Sequence, residues 1–474
     1  MDLLFEIASW TLSILSAGHA LVRKRDPRAG LGWLAFCLIL RPWGALVYWL
    51  FGVNFLRTRA RRLGRRWPFG LAGGAAGGER SALASASLSL SPEAARLAAV
   101  SGRVTRRPLV GGNRVVPLVN GEEAYPAMLA AIHGASRSVS LATYIFDTDE
   151  TGRAFVAALS SAAARGVDVK VLVDGFGEHY SRPRVSGLLQ PRGVRVVRFL
   201  PASLRRPGLH MNLRNHRKIL VVDGRMGFTG GMNLGDRHLA ARTANPRRVI
   251  DLHFQVEGPV VTQMEEVFLE DWSFATGESC ALEAPAASPR PGDLVCRGIS
   301  GGPNEDFEKL RWIIQGSLSA AARKIRIMTP YFVPDRGLVT SINNAALRGV
   351  GVEVLLPVRN NLPPVAWASR AMLWELLQNG VRIFFQPPPF VHTKLVLVDE
   401  GFALIGSTNL DSRSLRLNFE FDLEVHGEEF AANLARHFET ARNRSRETSL
   451  EEMDARPLPV RVRDAAARLL APYL

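Results

Sequence analysis

Residues 215–237 read NHRKILVVDGRMGFTGGMNLGDR, and residues 391–413 read VHTKLVLVDEGFALIGSTNLDSR. Both contain H-x-K-x-x-x-x-D, as His216, Lys218 and Asp223 in the first and His392, Lys394 and Asp399 in the second. Each is followed by a glycine-led asparagine turn, Gly230-Gly231-Met232-Asn233 and Gly406-Ser407-Thr408-Asn409. The β-branched and aliphatic run after each lysine predicts a strand. A His and a Lys two positions apart on a strand point to the same face, so each copy aims one imidazole and one ammonium at a common point. A single such pair is an ordinary surface feature. Two pairs in equivalent places, each with the same downstream turn, read as one site built twice.

Outward from these stretches the chain continues to match itself. SVSLATYIF (138–146) pairs with KIRIMTPYF (324–332), AARGVDVKVLVD (163–174) with ALRGVGVEVLLP (346–357), and RGVRVVRF (192–199) with NGVRIFFQ (379–386). The order is the same in both halves, which predicts a duplicated unit of about 170 residues rather than a short-period repeat array. Strand-like runs bounded by Gly alternate with helical segments 152–165 and 337–348 that end in Arg-Gly, a helix stop signal. The expected fold is therefore α/β, with two homologous halves (111–279 and 299–474, joined through 280–298) about a pseudo-two-fold axis that brings equivalent loops to one cleft.

The chemistry follows from the residue types. Lysine offers fixed charge and three donors to phosphate oxygens. The side chains of Asn233, Asn409 and Ser407 and the backbone N–H groups of the glycine turns add further donors. Only six of the 59 Lys and Arg residues are lysines, and two of the six sit in these motifs. The net charge of +15 calls for an anionic partner: nucleic acid, anionic lipid or a phosphate substrate. A hydrophobic share of 47% excludes wholesale disorder. Three cysteines, at 37, 280 and 296, exclude a disulfide framework and a CxxC zinc site. No cofactor and no metal are expected.

The N-terminal 68 residues read as a membrane anchor. Residues 3–22, LLFEIASWTLSILSAGHALV, match the ~20 apolar residues a spanning helix needs. A cleaved signal peptide fits poorly, because no basic region precedes the run. A second apolar run, 31–53, is interrupted by Arg41-Pro42 and has basic residues on both flanks. It either bends there as a re-entrant or interfacial segment, or it spans; both leave the bulk of the chain cytoplasmic. Arginines 57, 59, 61, 62, 65 and 66 would lie against anionic headgroups. Residues 69–110 read as a linker, with a Gly/Ala/Ser-rich spacer at 71–91.

The paired motifs resemble the phospholipase D superfamily. RKRDPRAGLGWL (23–34), TYIFDTDETGRAF (143–155), ARGVDVKVLVDGFG (164–177) and the NFEFDLEV that follows the second motif narrow the resemblance to bacterial cardiolipin synthases of the phospholipase D type. The resemblance implies a phosphatidyl transfer between two phosphatidylglycerol molecules through a phosphatidyl-histidine on His216, with His392 as acid and then base; the pseudo-symmetry leaves the two roles interchangeable. It implies that Lys218, Lys394, Asn233 and Asn409 neutralise the phosphate. It further implies that a carboxylate downstream of each motif, Asp251 and Glu420, backs its histidine. Its partners are anionic phospholipids (phosphatidylglycerol, cardiolipin), its place is the bacterial inner membrane, and no nucleic acid is expected. Where the resemblance calls for Trp-Arg-Asp, the chain has Val249-Ile250-Asp251. Rival readings are a phosphatidylserine synthase, a phospholipase D hydrolase, a nuclease of the same superfamily, and a non-catalytic membrane-anchored binder of anionic lipid or nucleic acid.

Secondary candidates are His210, Arg214 and Asn215, as headgroup contacts or a solvated edge. Tyr144 and Tyr331 are expected in the core, and His133, His179, His238, His253, His426 and His437 on the surface or in the core. The amphipathic stretch from Val460, with Arg461, Arg463 and Arg468, either touches membrane or caps the second half.

Overall fold

The computed structural model describes residues 2–24, 27–52, 92–105, 107–201, 213–282, 289–303, 306 and 308–471. The six-arginine cluster, the spacer at 71–91 and His210 lie outside them. The chain divides into two units, an N-terminal one and one that holds both motif-bearing halves.

In the N-terminal unit a helix runs over Asp2–Arg23, 22 residues or about 33 Å, and is long and apolar enough to cross a bilayer. The second apolar run is not one helix. It is a 13-residue helix, Pro27–Ile39, then a break, then Trp43–Val47 and a wider turn over Tyr48–Gly52. At 1.5 Å per residue the 13-residue piece covers about 20 Å, short of a ~30 Å hydrocarbon layer. The break falls at Arg41-Pro42. The Arg41 guanidinium lies 3.5 Å from the Trp10 ring centroid and its Nε donates to the Leu38 carbonyl. The bent segment returns along the first helix, where the Trp49 Nε1–H donates to Ser16 Oγ at 2.9 Å and Lys24 Nζ to the Gly52 carbonyl at 2.6 Å.

In the second unit a 15-stranded sheet carries both halves. From the centre outward, the first half contributes Val110–Val119, Leu252–Glu257, Met226–Gly230, Ile219–Val222, Ser138–Thr143, Asp168–Asp174 and Arg195–Phe199. The second contributes Leu294–Gly301, Glu420–His426, Phe402–Gly406, Leu395–Val398, Lys324–Met328, Gly351–Pro357 and Arg382–Gln386, with Arg446–Thr448 added at the edge. The two series repeat the same pattern of connections on either side of the junction, where Val110 pairs with Cys296 and Asn113 with Leu294. The second half thus opens at Leu294, ahead of the expected boundary at 299.

The three largest hydrophobic clusters among the described residues fill the layers. One is shared by the halves and runs from Phe254, Phe268 and Trp272 to Phe421, Phe430 and Phe438, beneath helices Val260–Thr276 and Glu428–Asn443. The other two belong to one half each, under helices 120–133 and 150–164 and under helices 309–320 and 336–347. A core common to both halves fixes their mutual position, which a two-part site requires. One correction concerns the expected linker at 69–110. Pro92–Thr105 is a helix, its Leu97 belongs to the second half's cluster, and its Ala98 carbonyl accepts from the buried Arg297 at 3.2 Å.

Candidate active site

Each motif histidine enters the site on extended chain just ahead of a sheet strand, and its backbone is tied to the other half. The His216 N–H donates to the Phe419 carbonyl at 2.8 Å, and the Phe419 N–H to the Arg214 carbonyl at 2.9 Å. Symmetrically, the His392 N–H donates to the Ile250 carbonyl at 2.8 Å, and Phe390-Val391 pair in parallel with Val249-Ile250. The residues after Phe419 and Ile250 are Glu420 and Asp251. The stitching therefore delivers each carboxylate to the opposite histidine. His216 Nδ1 lies 3.0 Å from Glu420 Oε2, and His392 Nδ1 lies 2.8 Å from Asp251 Oδ2. This corrects the expectation that each carboxylate backs the histidine of its own motif. Val249 and Ile250, where the resemblance calls for Trp-Arg, pair through their backbone with Phe390-Val391.

The carboxylates are held in turn. Ser407 Oγ donates to Glu420 Oε2 at 2.6 Å and Asn418 Nδ2 to Oε1 at 3.2 Å. Ser407 thus supports a carboxylate rather than facing a phosphate. In the first half Gly231 takes that place, and a Cβ there would fall 2.3 Å from Asp251 Oδ1; the Leu252 N–H donates to that oxygen instead. Burial alone would raise Glu420, but His216, Lys218 and the Ser407 hydroxyl outweigh it and hold the carboxyl below its ordinary value. With a carboxylate on each Nδ1, the proton of the neutral imidazole belongs there, and Nε2 is the lone pair turned to the site.

The lysines complete a positive centre. Lys218 Nζ donates to the His216 carbonyl at 2.6 Å. Lys394 Nζ donates to the His392 carbonyl at 2.5 Å and lies against the ring, 2.9 Å from His392 Nδ1 and 3.0 Å from Nε2. Burial, opposed by Glu420, brings Lys218 down to about 7; burial, opposed by Asp251 and Glu420, brings Lys394 down to about 8. Burial also lowers both histidines, His392 well below its ordinary value with Lys394 and Lys218 adding to the effect. Both imidazoles are consequently neutral near pH 7. An entering anion would draw protons back onto this cluster.

Asn233 accepts from the Ile145 N–H at 3.1 Å, which leaves its NH2 group as its donor. Asn409 Nδ2 donates to Ser414 Oγ at 3.3 Å. Tyr144 and Tyr331, expected in the core, line the site instead. Their rings lie 5.3 Å from His216 and 6.1 Å from His392. Burial pushes both phenols up, so they remain neutral. His238 is buried 6.5 Å from the His392 ring and accepts from the Asn233 N–H. Arg214 and Asn215 are buried, not a solvated edge: the Asn215 N–H donates to Asp174 and its Nδ2 to Asp271. Arg217, which sequence reasoning passed over, is 1% exposed and joins the halves by donating to the carbonyls of Glu420 and Gly301 and to Asp271. Strand alternation already places it on the face opposite His216 and Lys218, and that was its only signal.

Asp223 and Asp399 do not belong to the site. Each sits at positive φ in a hairpin turn, 54° and 52°, where Asp is better tolerated than most side chains. Asp223 Oδ1 accepts the Arg137 and Ser138 N–H groups and Oδ2 that of Ser136; Asp399 does the same for Ala322, Arg323 and Lys324. Asp223→Ala should remove the carboxylate from three backbone N–H groups, two of them open to water, cost about 1 kcal/mol of stability and leave turnover per folded molecule intact. Thermal unfolding alongside active-site-normalised rates checks this; a dead but fully stable variant would return Asp223 to the chemistry.

Among known proteins, the family described as "Cardiolipin synthase, PLD-like domain" matches residues 128–272 and 314–442. Cardiolipin synthase A of Pseudomonas fluorescens (strain SBW25) is 35% identical over 481 residues, covering 98% of this chain and 96% of its own length. Cardiolipin synthase of Geobacillus kaustophilus (strain HTA426) is 32% identical over 456 residues, covering 96% and 90%. The crystal structure of phosphatidylserine synthase from Haemophilus influenzae Rd KW20 superposes with a TM-score of 0.60 at 17% identity, covering 80% of this chain and 100% of that one, which shows a shared fold.

Proposed function

The chain belongs to the cardiolipin synthase family of phospholipase D-type phosphatidyltransferases, and from that premise we propose that it condenses two phosphatidylglycerol molecules into cardiolipin and glycerol through a phosphatidyl-histidine. The observation that carries the reading is the pair of H-x-K motifs in one centre, each histidine backed at Nδ1 by a carboxylate of the other half. In the first step His216 Nε2 attacks phosphorus, the bond from phosphorus to the glycerol oxygen breaks, and that oxygen takes a proton from His392. In the second step a hydroxyl of another phosphatidylglycerol gives its proton to His392, its oxygen attacks phosphorus, and the P–N bond breaks. Lys218 and Lys394 supply positive charge to the non-bridging oxygens, with Asn233 and Asn409 as further donors. The substrate's own negative charge favours the protonated His392 that the first step needs. We place the catalytic halves on the cytoplasmic side of the inner membrane, a reading supported by the basic residues that flank the second apolar run in the sequence.

Purified protein given phosphatidylglycerol alone should yield cardiolipin and glycerol in equal amounts by mass spectrometry. Phosphatidic acid in place of cardiolipin would make the protein a hydrolase.

The lysines predict a pH dependence of ligand binding. Above pH 7 to 8 the ligand-free enzyme loses ammonium charge at Lys218 first and then Lys394. A soluble phosphodiester such as glycerophosphoglycerol keeps one negative charge throughout. Its inhibition constant should therefore rise about tenfold or more between pH 6.5 and 9, one pKa unit of linkage per decade. A flat profile would show that the lysines keep their charge.

A further inference from the structure

The helix Leu458–Leu469 turns its carboxylate inward and its leucines outward. Asp464 is fully buried and pairs with Arg456 and Arg463, each at 2.7 Å, with Arg370 at 3.6 Å. Ala467 packs with Val365 and Ala368 of helix Pro363–Arg370. The opposite side carries Leu458, Val462, Ala465 and Leu469, which recur with the i, i+4, i+7, i+11 spacing of one helix face. Leu458, Val462 and Leu469 are 70%, 59% and 77% exposed. At 3.6 residues per turn, Arg461 and Arg468 flank one side of this stripe, while Arg463 turns toward the inner face, where it pairs with Asp464. A water-facing surface helix has the reverse arrangement, apolar side down and charges out.

We infer that this outward stripe docks in the interfacial layer of an anionic phospholipid bilayer and gives the catalytic unit a membrane contact of its own. The inference deepens the proposed function, since it supplies the surface in which that lipid substrate lies. The charge pattern selects the occupant. The exposed Arg461 and Arg468 beside the stripe complement anionic headgroups, and the apolar stripe itself suits the acyl boundary. A second copy of this helix would bring the same arginines against each other. The helix is also coupled to the site. The cluster that holds Ala467 contains Val333, Val365 and Ala368 and touches Tyr331, whose ring stands 6.1 Å from His392. One packed layer therefore separates the docking helix from the wall of the active site.

The test uses the full chain in vesicles of phosphatidylethanolamine and phosphatidylglycerol. An environment-sensitive fluorophore is attached at Val462→Cys, with Cys280→Ser removing the half-buried thiol while Cys37 and Cys296 are buried. The expected result is a blue-shifted emission that a lipid-borne spin label quenches and aqueous iodide does not, whereas the same probe at the exposed Glu451 stays open to iodide. In parallel, the triple variant Leu458→Gln, Val462→Gln, Leu469→Gln should lose about tenfold of its turnover on vesicular phosphatidylglycerol. It should keep full turnover on a monomeric short-chain phosphatidylglycerol. The proposal is overturned if iodide reaches position 462 as readily as 451 in membrane-bound protein. It is equally overturned if the shift tracks protein density without lipid-borne quenching, which marks self-association. Leu469→Cys repeats the measurement should Val462→Cys not fold. If the probe is quenched from the lipid but neither lipid is turned over, the proposed reaction fails and the docking surface stands.

Discussion

Replacement of His216 or His392 by alanine is expected to lower cardiolipin formation by at least about 10³–10⁴-fold, the scale of losing a nucleophile or its proton partner. Each imidazole holds Nδ1 against a carboxylate, which turns Nε2 to the site, and the one further imidazole described beside His392, that of the buried His238, is committed to the Asn233 N–H. The tyrosines nearby are pushed up and stay protonated, and the lysines are tethered to the carbonyls of their own motif histidines. The two variants should differ once the leaving group no longer needs a proton. With a phosphatidyl p-nitrophenol substrate, His392→Ala should still release a burst of nitrophenol and trap the phosphatidyl group on His216, while His216→Ala stays inactive. The opposite pattern would exchange the two roles. Near-normal cardiolipin formation by either variant would remove the covalent mechanism altogether.

Much of this arrangement is legible in the sequence because a duplication writes it twice. One H-x-K pair on a strand says little. Two, with matching Gly…Asn turns and three further matches in the same order, fix both the sheet and the convergence of the motifs. What pattern reading missed has a common cause, namely that spacing along the chain does not say which of two symmetric strands a residue will meet. Asp251 follows the first motif and Glu420 the second, so each is naturally assigned to its own histidine. The cross-half pairing at Phe419 and Ile250 reverses that assignment. Asp223 and Asp399 recur with His and Lys for a different reason: a carboxylate that caps the turn ending the same strand belongs to the motif's spacing without facing its site. Tyr144 and Tyr331 end apolar strands and so read as core, although the strand end is where the site opens. Helix Pro92–Thr105 was hidden by the low-complexity stretch ahead of it; its anchors Leu97 and Ala98 become informative only beside Arg297.

The crossed carboxylates lead to the second large effect. Glu420→Gln should act on His216, and Asp251→Asn on His392, although each lies in the half opposite its target. An amide of the same shape can turn its NH2 group to Nδ1. The imidazole then accepts there and carries its proton on Nε2, which removes the lone pair needed for attack at His216 or for taking a proton at His392. The expected loss is about 10²–10⁴-fold in turnover, the range set by hydrogen-bond support of a catalytic imidazole. Glu420→Gln should be the more disruptive to the fold of the two. Glu420 Oε2 also accepts from Ser407, so the amide must give up one of two hydrogen bonds, whereas Asp251 Oδ2 faces His392 and Oδ1 is held by the Leu252 N–H. Nitrogen resonances of the labelled histidines separate this from a general structural defect. Glu420→Gln should move the ring nitrogens of His216 and leave those of His392 in place, and Asp251→Asn should do the reverse. If each substitution instead perturbs the histidine of its own half, the crossed pairing is wrong, and the halves meet in a different register at Phe419 and Ile250.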